Sequence, residues 1–103
     1  MAELRIDREG STAVVAPAGN IVSSNVAEMR VRLKGLMEEK CSAVTVDLEG
    51  VEIVDSTGIG LIIAVHNSLR KTGGTLSVIN ASKDLLDLFK AMRLDQHFSV
   101  AGA

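Results

Sequence analysis

The chain has 103 residues, the size of one ordinary domain, and 47% of them are hydrophobic, enough to build a single core. A net charge of −2 with no basic stripe argues against nucleic-acid binding, and two Phe with neither Trp nor Tyr remove the usual base-stacking platforms. A lone cysteine, Cys41, excludes an internal disulfide, suits a reducing compartment and reads as a small filler where a helix ends and a strand begins.

The charged start, Met1-Ala2-Glu3-Leu4-Arg5-Ile6-Asp7, lacks the apolar region of a signal peptide. The longest apolar run, residues 59–65, is far too short to span a bilayer. A soluble cytoplasmic protein with no membrane partner is expected, by default a monomer when free.

Leu4 and Ile6 alternate with polar neighbours, Glu9-Gly10-Ser11 signals a turn, and residues 13–16 form the next β-like run, so the chain should open as a hairpin. Pro17 cannot donate to a sheet ladder, so the second strand should end or reach an edge there. Gly19-Asn20 is a turn signal. Asn25 followed by Glu28 resembles a capping box, and Val26, Met29, Leu33, Leu36 and Met37 then recur on one helical face to about residue 40. In residues 43–48, Val44, Val46 and Leu48 share one side of a strand, with Thr45 and Asp47 on the other. Glu49-Gly50 breaks it, and residues 51–54 form a second short β run.

From Thr57 to about Lys71 the pattern is helical, apolar over its first half and stopped by Gly73-Gly74. Residues 75–79 read as a further strand. Ser82 can cap a last helix carrying Leu85, Leu86, Leu88, Phe89 and Met92, and Leu94 with Phe98-Ser99-Val100 closes the domain, with room for a terminal strand. The alternation after residue 23 predicts an α/β fold with parallel pairs and right-handed crossovers, and the opening hairpin makes the sheet mixed.

Ser56 falls where a strand-like run gives way to the first turn of a helix. That turn has unpaired N–H groups and a partial positive charge, so the serine can cap the helix, bind an anion or carry a phosphate. Asp55, Ser56 and His66 do not make a hydrolase. Val54 stands two residues before Ser56, so the Gly-x-Ser-x-Gly elbow is missing. His66 is ten residues further along the same helix, roughly 15 Å away at about 1.5 Å rise per residue. His66 and His97 are expected to be partly exposed and without function. No His, Cys or Asp grouping shows metal-ligand spacing. Gly58-Ile59-Gly60 starts like a dinucleotide fingerprint, but Ile63 occupies the third small position and no Gly-Lys-Ser/Thr is present, so no cofactor is expected.

Asp55-Ser56-Thr57-Gly58-Ile59-Gly60, following Asp47-Leu48-x-Gly50-Val51, resembles the STAS domain family and, within it, the anti-sigma factor antagonists. Their hallmark is Asp-Ser-Ser/Thr-Gly-Leu/Ile-Gly after a short β segment. The likeness extends to the Gly19 turn, the Gly73-Gly74 break and the Leu85-Leu86-x-x-Phe89-x-x-Met92-x-Leu94 ending. It implies a STAS-like single domain over residues 1–103, with a mixed four- to five-stranded sheet and helices packed mainly on one face.

In that family the serine directly after the aspartate is phosphorylated, which here is Ser56. The resemblance implies that the unphosphorylated form binds a GHKL-type anti-sigma factor/serine kinase and frees its client. Phosphorylation abolishes binding and a PP2C-type phosphatase restores it; the chain itself is no enzyme. The implied partner surface comprises Asp55, Ser56, Thr57, Gly58, Ile59, Gly60 and, at the first turn, Asn20. Gly58 and Gly60 are expected to let a partner approach, with Ile59 as an apolar anchor between them. Thr57 stands one place off the family phosphosite. Many members carry Gly-Glu-Leu-Asp at the first turn, where this chain has the neutral Gly19-Asn20-Ile21-Val22, which suits a less basic partner. Three other readings stay open at this point. One is a non-phosphorylated STAS scaffold or accessory subunit of a stress-signalling or transport complex. Another is a small-ligand binder using the helix end. The third is a plain helix cap, with the glycines serving tight packing.

Overall fold

Gly10, at φ +62°, supplies the left-handed turn residue that closes the opening hairpin of β1 (Leu4–Glu9) and β2 (Thr12–Pro17). A computed structural model describes residues 4–103; residues 1–3, the beginning of the charged stretch weighed as a leader, lie outside the described residues. After β2 come α1 (Val26–Glu38), β3 (Ala43–Asp47), α2 (Ser56–Lys71), β4 (Thr75–Ala81), α3 (Lys83–Ala91), a 3-10 turn over Leu94–Gln96 and β5 (Ser99–Gly102). The five strands lie in sequence order across one sheet, with β1 antiparallel to β2 and all later pairs parallel. Parallel neighbours taken in order need right-handed crossovers, which place all three helices on one face.

Burial follows that placement. Ala13, Val15, Val44, Val46, Leu76 and Val78 turn toward the helices and are buried, whereas Val14, Thr45 and Ser77 between them are not. Val26, Met29, Leu33 and Leu36 of α1, and Ile59, Leu61, Ile62, Val65 and Leu69 of α2, meet them. Each fully buried aliphatic side chain of this kind contributes about 1.5–3 kcal/mol. Cys41 is buried among them. Pro17 ends β2, which lies between β1 and β3, rather than marking an edge.

The expected stops are present. Gly73, at φ +77°, donates its N–H to the Arg70 carbonyl at 3.1 Å, and Gly74 donates to Leu69 at 2.7 Å, a Schellman ending for α2. Ser82 Oγ accepts from the Leu85 N–H at 3.2 Å and caps α3.

Four expectations need correction. Residues 51–54 are not a strand, because only Val54 pairs, in a single parallel bridge to Ile21. Asn25 stands at the cap position of α1 but its side chain does not cap it. Its Oδ1 accepts from the Val22 N–H at 3.0 Å and its Nδ2 donates to the Asn20 carbonyl at 2.6 Å, so the local turn claims the amide before the helix does. Met92 follows α3 and is exposed. His66 is buried, because α2 carries it under Phe98, whose ring centroid lies 5.2 Å away.

Candidate functional site

Three chain segments meet at the N-terminus of α2. The Ile21–Val54 bridge brings residues 18–25 alongside residues 50–55, with the Ile21 N–H donating to the Ile53 carbonyl at 3.0 Å and the Asp55 N–H to the Ile21 carbonyl at 3.2 Å. Asn20 fastens the same junction. Its Oδ1 accepts from the N–H groups of Glu52 at 3.0 Å and Ile53 at 2.9 Å. The residue expected to face a partner thus commits its side-chain oxygen to the loop.

Asp55, not Ser56, is the N-cap of α2. Its backbone is extended, at φ −86° and ψ −175°, and its Oδ1 accepts from the Gly58 N–H at 3.0 Å and the Thr57 hydroxyl at 2.6 Å. Its Oδ2 accepts from the Ser23 N–H at 3.0 Å. The Thr57 hydroxyl, then the Gly58 N–H, hold the Asp55 carboxyl below the usual aspartate range against the opposing effect of burial. The stabilisation this gives is present above the ordinary carboxylate range and is lost as pH falls through the depressed folded value.

Because Asp55 takes the cap, Ser56 is the first residue of the helix proper, exposed, and its hydroxyl has no hydrogen-bond partner among the described residues. Thr57 is also exposed, but its hydroxyl is held by Asp55.

The two motif glycines differ. A Cβ on Gly58 would collide with the Ile21 carbonyl oxygen and come within 2.8 Å of Val54 Cγ1 and 2.9 Å of Ile21 Cγ2. Gly58 is therefore buried packing and offers a partner nothing. A Cβ on Gly60 would meet nothing within 4 Å, so that position is open on the exposed side of α2.

Ile59 is not the apolar anchor. It is 4% exposed and belongs to the core, whereas Ile53, three residues before Ser56, is 54% exposed. Sequence reasoning missed Ile53 because residues 51, 53 and 54 are all apolar, and neither strand nor helix periodicity decides which one faces outward. It missed Ser23 because only the backbone N–H acts there. Among the described residues no group of three or more potential metal ligands gathers, and no helix is long and apolar enough to cross a membrane.

The arrangement defines a class: an α/β domain presenting an unoccupied hydroxyl at a helix N-terminus, beside a carboxylate already engaged in its own fold. The family described as "Mlab, STAS domain" matches residues 4–101, and the chain belongs to the STAS domain family. Among curated proteins, the anti-sigma-B factor antagonist of Bacillus subtilis strain 168 is 32% identical over 72 residues, covering 70% of this chain and 65% of that protein's own length. Among solved structures, the Thermotoga maritima protein TM1081 superposes with a TM-score of 0.91 at 14% identity, covering 97% of this chain and 86% of that one. The Bacillus cell fate determinant SpoIIAA in its phosphorylated form superposes at 0.77 and 18% identity, covering 96% and 91% of the two chains. The anti-sigma factor antagonist SpoIIAA in its unphosphorylated form gives 0.77 at 16% identity, covering 98% and 88%. These likenesses establish the shared fold.

Proposed function

We propose that this chain is a partner-switching regulator of the anti-sigma factor antagonist type, with Ser56 as its phosphate acceptor. The observation that carries the proposal is the division of labour at α2: Asp55 does the capping, so the Ser56 hydroxyl stays exposed and unbonded. The unphosphorylated form binds a GHKL-type serine kinase that also sequesters a regulator. Phosphate on Ser56 prevents that binding, and a PP2C-type phosphatase reverses it. The likeness to the anti-sigma-B factor antagonist of Bacillus subtilis supports the same role.

A phosphate adds about 1.5 to 2 negative charges at neutral pH. At a helix N-terminus the dipole favours that charge by about 0.3–1 kcal/mol, so the domain stays folded while its surface changes. The Asp55 carboxylate is turned into three hydrogen bonds rather than toward the new group.

Incubation with the kinase and ATP is expected to add about 80 Da to the peptide containing Ser56 and nothing to Ser56→Ala. Label appearing on Thr57 instead would move the acceptor and defeat the assignment. The exposed Ile53 supplies the apolar contact that Ile59 cannot. Ile53→Asp is expected to weaken partner capture about 10- to 100-fold, in the range of a central interface anchor. Its thermal stability should stay within about 0.5 kcal/mol of the parent, as for an ordinary surface change. Undiminished capture by Ile53→Asp would remove that residue from the interface.

A further inference from the structure

Toward the opposite end of α2 from Ser56 lies a concave site. It has a volume of about 570 Å³, within the roughly 300–1,000 Å³ typical of small-molecule sites. His66 and Arg70 of α2, residues 74–77 at the start of β4, and His97, Phe98 and Ser99 line it. Ser77 and Ser99 stand opposite each other in the β4–β5 register. No Asp or Glu lines the cavity.

Three bases therefore share one cavity without a counter-charge. The ion pairs among the described residues lie elsewhere, joining Arg5 to Asp7 and Arg8 to Glu39. The side chains of Arg70, His66 and His97 have no hydrogen-bond partner among the described residues. The His66 ring packs against Phe98 and sits 6.4 Å from the His97 ring, centroid to centroid. Burial, and then the charges of Arg70 and His97, push the His66 imidazole below the usual histidine range. Arg70 does complement the dipole of α2, but Lys71 beside it does the same, and neither accounts for two histidines gathered at the same mouth.

An arrangement of this kind is repulsive when empty and becomes attractive once an oxyanion enters. The guanidinium offers a planar fork of donors, the imidazoles add one or two more, and the serine hydroxyls donate or accept as needed. The cavity is larger than a phosphate group alone fills, and Phe98 gives it an apolar wall. We propose that this cavity binds a phosphate dianion, free or as the monoester of a small molecule, through Arg70, His66 and His97. The site is separate from Ser56, which lies about 15 Å back along the helix at about 1.5 Å per residue.

The test follows the imidazole resonances of His66 and His97 by NMR in the full chain, titrated with inorganic phosphate, glucose 6-phosphate and AMP, with sodium chloride as the ionic-strength control. Saturable movement of both histidines with a rise in the His66 pKa is the expected result, since a ligand that prefers the protonated ring must raise its pKa. Equal affinity for the three probes identifies free phosphate as the source, and tighter binding of either ester identifies the ester; both uphold the site. Arg70→Ala and His97→Gln should each bind about tenfold more weakly, the loss of one charge-assisted contact. Ser56→Ala should bind like the parent. Unmoved histidines with all three probes would overturn the proposal, as would parent-strength binding by both Arg70→Ala and His97→Gln.

Discussion

Ser56→Asp is expected to bind the kinase partner about 100- to 1,000-fold more weakly than the parent, a loss of about 3–4 kcal/mol at about 1.4 kcal/mol per decade. The loss arises because a partner seated over α2 must strip water from the new carboxylate without supplying a counter-charge. The same substitution leaves the fold intact, since an acid in the first turn of a helix is favoured by about 0.3–1 kcal/mol. Calorimetric titration against the kinase, paired with a thermal melt of each variant, separates the two effects. Ser56→Ala should bind at parent strength and remain bound when ATP is added. Equal affinity of Ser56→Asp and the parent would end the switch reading, because a well-folded variant would then carry the charge without consequence.

Gly58→Ala is the second large effect, and it acts on the fold. The added methyl meets the Ile21 carbonyl oxygen and two side-chain carbons, Val54 Cγ1 and Ile21 Cγ2. The backbone oxygen cannot step aside without breaking the Asp55 N–H bond to Ile21 and the Ile21–Val54 bridge. A cost of about 3 kcal/mol is expected, on the order of 10–20 °C in Tm for a domain of this size. Gly60→Ala is the matched control: its methyl meets nothing, and replacing a helix-interior glycine gains about 0.5–1 kcal/mol. Two alanines two positions apart in one motif should therefore move the melting temperature in opposite directions. A Gly58→Ala protein that melts with the parent would mean the close approach of α2 to Ile21 is not needed for stability.

Much of the architecture was legible from periodicity and turn residues. The alternation of Val44, Val46 and Leu48 marked β3, the Gly73-Gly74 pair marked the end of α2, and Ser82 marked the start of α3, because each acts through its own backbone or its nearest neighbours. The errors fell where contacts outside an element's own periodic pattern decide. Residues 51–54 have strand composition but only one bridging partner, since Ile21 reaches them at a single point. Asn25 matched a helix cap by spacing, yet residues 20 and 22 claimed its amide. His66 looked like the first polar residue after an apolar stretch, and only the return of the chain at Phe98 buries it.

At the site, the motif located the helix N-terminus correctly but could not assign its parts. Which glycine packs and which stays open depends on Ile21, 37 residues before Gly58, and which of Ile53 and Ile59 faces outward depends on the pitch of a loop.

The bonds from Asp55 to Ser23 and from Asn20 to residues 52 and 53 tie two distant stretches of chain into one rigid collar around Ser56. In the proposed switch, a modifying enzyme would therefore meet a shaped, discontinuous epitope instead of a linear consensus. A short peptide copied from the motif would reproduce the letters but not the contour, and in the terms of the proposed switch, substrate quality becomes a report on whether the domain is folded.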